Sequence, residues 1–239
     1  MVSAVIKNWD KKNWLSSRNY IHKFNNFLLK AKKLNSSSKI LDIGCGRGKI
    51  LGHLSSKLRL KNKPIGIDLV SHKDRDKRIN FKKIDALSFF STNKEKFDLI
   101  LVKQTIHLMK FNKIKSLLVK MNENLKPNGE IFILTLDPHK NEIPNFSLMK
   151  IELLKSLKRD QKILKFISKL YPKRIIKNFT YKVEITKKKY IDMVSERFIS
   201  TLLGFNNKQI VTGIKQIDLK YKKKLRFNDK LVCIIIKNI

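Results

Sequence analysis

The chemistry of this sequence concentrates in a stretch of alternating glycines, two aspartates downstream of it and one histidine. Gly44, Gly46 and Gly48 follow directly on Ile40, Leu41, Asp42 and Ile43. Glycine at every second position permits a tight turn and lets a ligand lie against bare backbone. A dinucleotide site needs G-x-G-x-x-G, but Lys49 stands where the third glycine belongs. A P-loop is further away, because no Gly-Lys-Ser/Thr closes the loop. Asp42, inside the strand end, would repel a pyrophosphate, whereas a nucleoside carrying an ammonium and a sulfonium tolerates it. Asp68 comes 24 residues after Gly44, close to the roughly 20-residue interval at which an acidic side chain meets ribose hydroxyls in nucleoside-binding α/β folds. A strand-end turn aspartate is the competing reading. His107 is the candidate for proton transfer, because neutral imidazole accepts a proton from an alcohol, thiol, amine or carbon acid near pH 7. An ordinary half-buried histidine at a helix start fits the same position.

These residues need elements to hold them. The apolar, β-prone run at 40–43 predicts a buried strand, and Lys49, Ile50, Leu51 and Leu54 resume with helical spacing over 49–59. Strands are expected at 65–70, at 79–84 (short and edge-like) and at 97–102, with Asp68, Asp85 and Gln104 at their ends. A regular apolar stripe, Ile114, Leu117, Leu118, Met121 and Leu125, predicts a helix over 111–125, stopped by Pro127 and Gly129 before a fifth strand at 131–137. Ahead of all this, Trp14, Tyr20, Phe24, Phe27 and Leu28 share roughly one helical face. Residues 138–210 break the alternation and read as Lys-rich amphipathic helices, with Phe179 to Ile185 a strand or extended link. Tyr190, Met193, Arg197, Ser200 and Thr201 share one side there. Arg197 is placed to fork onto a substrate carboxylate or phosphate, or to pair on the surface with Glu196 or Asp192. Asn228-Asp229 is expected to turn the chain into a last apolar strand at 231–236.

The sequence ILDIGCGRGKIL at 40–51 resembles motif I of class I S-adenosylmethionine-dependent methyltransferases, which commonly reads LDIGCGxG. The helix, Leu-Lys-Pro-Asn-Gly-Glu turn and strand over 111–137 resemble a late motif of the same family. The resemblance covers about 40–137 well and 210–239 in outline. It implies an α/β, Rossmann-like seven-stranded mixed sheet ending in an antiparallel hairpin. An N-terminal helix leads into it, and a helical cap is inserted between strands five and six. The expected organisation is one methyltransferase domain. Its parts are a helical lead at 1–36, a cofactor-binding core at 37–137, a substrate cap at 138–210 and a hairpin at 211–239. The resemblance further implies S-adenosyl-L-methionine as cofactor, contacted by Asp42, Gly44, Gly46, Asp68, Leu69, Asp85, Ala86 and Gln104. Asp85 would accept from the adenine amine, as a carboxylate does, while the backbone at Ala86 meets the ring. A helix N-cap explains Asp85 nearly as well, and both roles are compatible. A leading helix often covers the substrate pocket in small-molecule members, so Trp14 and Tyr20, with Trp9 beside them, are candidates to face the acceptor or the sulfonium. Their competing role is packing on the sheet. Tyr190, Arg197 and His107 complete the expected acceptor site, and no metal is expected.

The end of strand four narrows the acceptor. Enzymes that methylate base amines carry Asp/Asn-Pro-Pro-Tyr/Phe here, and this chain has Lys103-Gln104-Thr105-Ile106. The Pro-Cys nucleophile of cytosine C5 chemistry and the Lys-Asp-Lys-Glu set of heat-shock-type ribose methyltransferases are also missing. A small-molecule acceptor is therefore expected. The rival enzyme is an RNA methyltransferase, supported by 54 basic against 19 acidic residues and a net charge of +35. That charge is discounted, because lysine is spread along nearly every segment and alanine occurs only at 4, 31 and 86, the residue usage of an AT-rich genome. A non-enzyme rival is a cofactor-binding regulatory or structural protein with a degenerate site. Cys45 and Cys233 form no framework, which fits a reducing compartment. No apolar run nears a membrane span. The first residues, with Asp10 and scattered lysines, lack a signal core. The expectation is a cytoplasmic monomer or homodimer with no membrane partner.

Overall fold

The structure, a computed structural model, describes residues 13–237. Seven strands form one sheet in the order β3-β2-β1-β4-β5-β7-β6. They are β1 (Ile40–Ile43), β2 (Ile65–Asp68), β3 (Asn80–Lys83), β4 (Phe97–Lys103), β5 (Leu125–Leu136), β6 (Ile175–Thr186) and β7 (Lys224–Lys237). The first five run parallel, and β7 is antiparallel to both β5 and β6. Strands β1 and β4 are buried on both faces, which is why residues 99–102 of β4 read as an unbroken apolar run and β1 is apolar but for Asp42. Helices α1 (Arg18–Ala31) and α2 (Lys49–Leu58) cover one face, with α6 (Lys187–Ser195) and α7 (Asn207–Lys220). Helices α3 (Ala86–Thr92) and α4 (Phe111–Glu123), with the later half of α5 (Ser147–Leu170), cover the other.

Two expectations for the second half are corrected. Residues 138–210 are not one helical cap between strands five and six. A 12-residue strand, β6, runs through them, and α6 and α7 lie between β6 and β7. The alternation Phe179, Tyr181, Val183, Ile185 carries the reason, since those side chains turn to the core, Phe179 and Tyr181 against α1, while the other face of this edge strand is exposed. The closing antiparallel pair is therefore joined by helices. Nor do Asn228 and Asp229 make a turn, because both lie within the 14-residue strand β7, paired with Lys182 and Tyr181. The Asn228 amides are held by Glu142, and Asp229 points inward.

Helix α1 is fixed from both ends of the chain. Ser17 caps it, accepting from the Tyr20 amide. Tyr20, Phe24 and Phe27 then pack edge-on against Phe179 of β6, at 5.5, 5.1 and 5.5 Å between ring centroids. Among the described residues no helix is long and apolar enough to cross a membrane, and no cluster of His, Cys, Asp or Glu could hold a metal ion.

Candidate active site

The turn after β1 takes its shape from three residues with positive φ: Gly44 at 74°, Gly46 at 55° and Gly48 at 67°. At Gly44 the need for glycine is doubled, because a Cβ there would sit 2.2 Å from Thr105 Oγ1. The loop is pinned by the next strand. Asp68 Oδ2 accepts from the Gly46 amide at 2.8 Å and Oδ1 from the Val70 amide at 3.0 Å. Both Asp68 oxygens keep further lone pairs for ribose hydroxyls. Asp85 caps α3 through the Leu87 and Ser88 amides, and Ser88 holds its carboxyl below the usual range. The N-cap role is the one the hydrogen bonds show, and Asp85 also lines the cavity described next.

A cavity of about 380 Å³ opens at the carboxyl ends of β1, β2 and β4. Gly44, Asp68, Leu69, Asp85, Ala86 and Gln104 line one part of it. Gln104 holds φ at 51°, an uncommon value for a side-chain-bearing residue. The bare backbone at Gly44, a carboxylate at the β2 end and a second at the β3 end fit an adenosyl group bearing a cationic amino-acid tail. Trp14, Phe198, Leu153, Asp160 and Thr201 build the other part, with His107 also in the lining and Asp229 bonded to Trp14. The 3-10 turn Ile106–Leu108 presents His107. Burial pushes His107 down to about 4, with Arg159 adding to the effect. The imidazole is therefore neutral at physiological pH, and its Nδ1 has no hydrogen-bond partner.

This shift fixes a pH dependence of stability. The folded pKa lies below the unfolded value near 6.5, so charging His107 is resisted by the native state. The parent is expected to lose stability as pH falls from about 6.5 towards 4, and His107→Gln to escape that component. Melting scans at pH 7 and pH 4.5 should show His107→Gln gaining several degrees on the parent at the lower pH. An unchanged gap would contradict the burial of this ring.

Beneath the cavity, on the α1 face, runs a buried polar string. Asp42 of β1, Lys103 of β4 and Asp229 of β7 all face α1. Lys103 Nζ donates to Gln104 Oε1 at 2.8 Å and lies 5.2 Å from the Tyr20 ring centroid and 5.5 Å from that of Phe24. Burial pushes the Asp42 carboxyl up to about 7, Lys103 opposing and Asp68 adding. Burial also raises Asp229, against the Trp14 hydrogen bond and Lys103. Trp14 Nε1 donates to Asp229 Oδ2 at 3.0 Å, and the indole packs edge-on against Phe198 and Phe227. The Tyr20 hydroxyl, near enough to Asp229 to be raised by it, makes no hydrogen bond of normal geometry.

The expected site residues divide accordingly. Gly44, Asp68, Leu69, Asp85, Ala86, Gln104, Trp14 and His107 line one cavity. Asp42 does not reach it, being buried on the α1 face, and Gly46 serves the site through its amide to Asp68. Tyr20 is fully buried against Phe179 and Tyr181, so it packs and does not face an acceptor. Tyr190 is fully buried too, its hydroxyl donating to the Pro144 carbonyl. Arg197 is turned to the Phe205 carbonyl and Asn207 Oδ1, at 3.1 and 2.9 Å, and not to the neighbouring acids. Trp9 lies outside the described residues. Thr105, Asp160 and Asp229 were not foreseen as lining residues, and Thr201 was named only as sharing a side with Tyr190 and Arg197. Asp160 has a readable signal, since it falls in the apolar stripe Leu153, Leu157, Ile163, Ile167 of α5. Asp229 has one too, in the inward register Leu225, Phe227, Leu231, Cys233 of β7.

Residues 16–184 match a family model described as a methyltransferase domain. The chain belongs to that family, and it is a class I S-adenosylmethionine-dependent methyltransferase. Among solved structures it is similar to the plantazolicin methyltransferase BpumL, crystallised with a monoazolic desmethylPZN analog and SAH. Identity is 21%, over 97% of this chain and 88% of that one, with a TM-score of 0.55. A putative methyltransferase from an antibiotic biosynthesis pathway of Anabaena variabilis shares 14% identity over 89% of this chain and 96% of its own, with a TM-score of 0.62. A putative methyltransferase of Bacillus halodurans shares 12%, over 90% and 98%, with a TM-score of 0.54. At these identities the structures share the fold. No protein with a curated description matches the sequence.

Proposed function

We propose that this chain, as a single domain and a monomer or homodimer in the cytoplasm, methylates a small-molecule acceptor. S-adenosyl-L-methionine is the methyl donor. Asp68 holds its ribose, Asp85 and Ala86 its adenine, and the Gly44 backbone and Gln104 its amino-acid end. When bound, the donor supplies an electrophilic methyl on sulfonium, which the acceptor lone pair displaces in line. What this chain adds is alignment, exclusion of water and a neutral His107 beside the acceptor. The observation that carries the reading is the cavity itself. It joins the glycine turn to a chamber walled by Trp14 and Phe198, and its volume of about 380 Å³ suits a small ligand.

Net charge keeps RNA as the second reading. Labelled cofactor offered to a low-mass cell extract and to total RNA in parallel separates the two. Label should enter the extract, and label entering RNA alone, falling steeply with salt, would favour the rival. Cofactor binding without label in either pool would favour a regulatory or structural role. His107→Ala should lose about 100-fold in turnover through misplacement of the acceptor while keeping the cofactor Kd within about twofold of the parent. An unchanged rate removes His107 from the chemistry.

A further inference from the structure

The cavity inverts the charge of the chain that builds it. In a protein of net charge +35, its charged lining is Asp68, Asp85, Asp160 and Asp229 against one lysine, Lys113. The nucleoside accounts for Asp68 and Asp85, and Trp14 with Lys103 answers Asp229. Asp160 is left over. Its residue is 3% exposed, and its Oδ1 is buried without a hydrogen-bond partner. Two more residues of this lining each carry a buried polar atom that has none, His107 Nδ1 and Thr201 Oγ1. The three come from separate elements: α5, the 3-10 turn at Ile106–Leu108, and another at Ser200–Leu202. Orphaned buried polar atoms are rare in folded proteins, and three on residues that line one cavity point to a ligand that completes the hydrogen bonding.

In its ionised form the Asp160 carboxylate only accepts, so the partner that would hold it in that form must donate. Imidazole nitrogen and hydroxyl accept as well. A group with several N–H donors and a positive charge satisfies all three, whereas an alcohol brings one hydrogen and an acid would be repelled. We infer that the methyl acceptor is an amine, held through its N–H groups by Asp160, with His107 and Thr201 taking the remaining hydrogens. This rests on reading the cavity as the acceptor chamber. The amine enters as ammonium and gives one proton to the Asp160 carboxylate, which exposes the lone pair. The C–N bond then forms as the C–S bond breaks, the C–S pair staying on sulfur and the positive charge passing to nitrogen. Burial pushes Asp160 up to about 7, with Arg159 opposing, which suits a group that takes and returns a proton. Arg159 is itself tied to the Met109 carbonyl at 2.5 Å, outside the cavity lining.

The test uses the full chain, methyl-labelled S-adenosylmethionine and a low-mass cell extract, either untreated or with its primary and secondary amines acetylated. Label should enter the untreated extract and fall at least tenfold after acetylation. Asp160→Asn should bind S-adenosylhomocysteine like the parent by calorimetry and lose at least tenfold in labelling, with Asp160→Glu recovering part. Label that survives acetylation overturns the amine. Asp160→Asn working at the parental rate overturns the assignment of Asp160. A protein that binds S-adenosylhomocysteine yet labels neither extract overturns the small-molecule reading and this one with it, a result distinct from the other two.

Discussion

Replacing Gly44 by alanine should weaken S-adenosylmethionine binding by about 100-fold or more, close to 3 kcal/mol. Two costs combine. A side chain at a φ of 74° costs roughly 1–2 kcal/mol on its own. The new Cβ would also meet Thr105 Oγ1 at 2.2 Å and Cγ2 at 2.4 Å. Thr105 cannot swing away without effect, because its hydroxyl donates to the Lys103 carbonyl at 3.1 Å and it adjoins Gln104 in the cavity wall. Calorimetry with cofactor gives the loss directly. Thr105→Gly in the Gly44→Ala background should recover a substantial part, since it removes the overlap and leaves only the backbone strain. Tight binding by the single variant would mean that the cofactor does not lie against this turn.

Asp68→Ala should raise the cofactor Kd at least 100-fold while the protein stays folded. Hydrogen bonds to a charged acceptor contribute about 1.5–3 kcal/mol each, and two ribose hydroxyls would lose theirs. The variant also frees the Gly46 and Val70 amides that Asp68 now holds, so the loop loses part of its preorganisation. Asp68→Asn keeps one acceptor oxygen and should fall between the two. Titration with S-adenosylhomocysteine, checked against melting temperature, separates lost contact from lost fold. A parental Kd in Asp68→Ala would refute the nucleoside assignment.

The glycine turn and the positions of Asp68 and Asp85 were legible because each depends on local chemistry: a short stretch of chain, a strand end, a helix start. The β-α alternation through Leu136 was legible for the same reason. The residues that misled depend on distant partners. Tyr20 and Tyr190 look like pocket aromatics on their helices, and only the placement of β6 and β7 shows that Phe179, Tyr181 and Phe227 enclose them. Asn228-Asp229 has the composition of a turn, yet the ladder with β6 runs straight through, because hydrogen bonding along a long strand outweighs local propensity. Asp160 and Asp229 were overlooked since a single polar residue within an apolar stripe gains meaning only when the cavity beside it is known.

The dependence of α1 on β6 has a consequence for synthesis. The rings of Phe24 and Phe27 leave the ribosome long before Phe179, their packing partner on the edge strand. At roughly 5–20 residues per second, the intervening stretch of about 150 residues takes on the order of 10–30 s to be made. Throughout that interval the leading helix carries an uncovered aromatic face on a nascent chain. The aromatic packing of the leading helix on the edge strand is thus delayed until that strand has emerged.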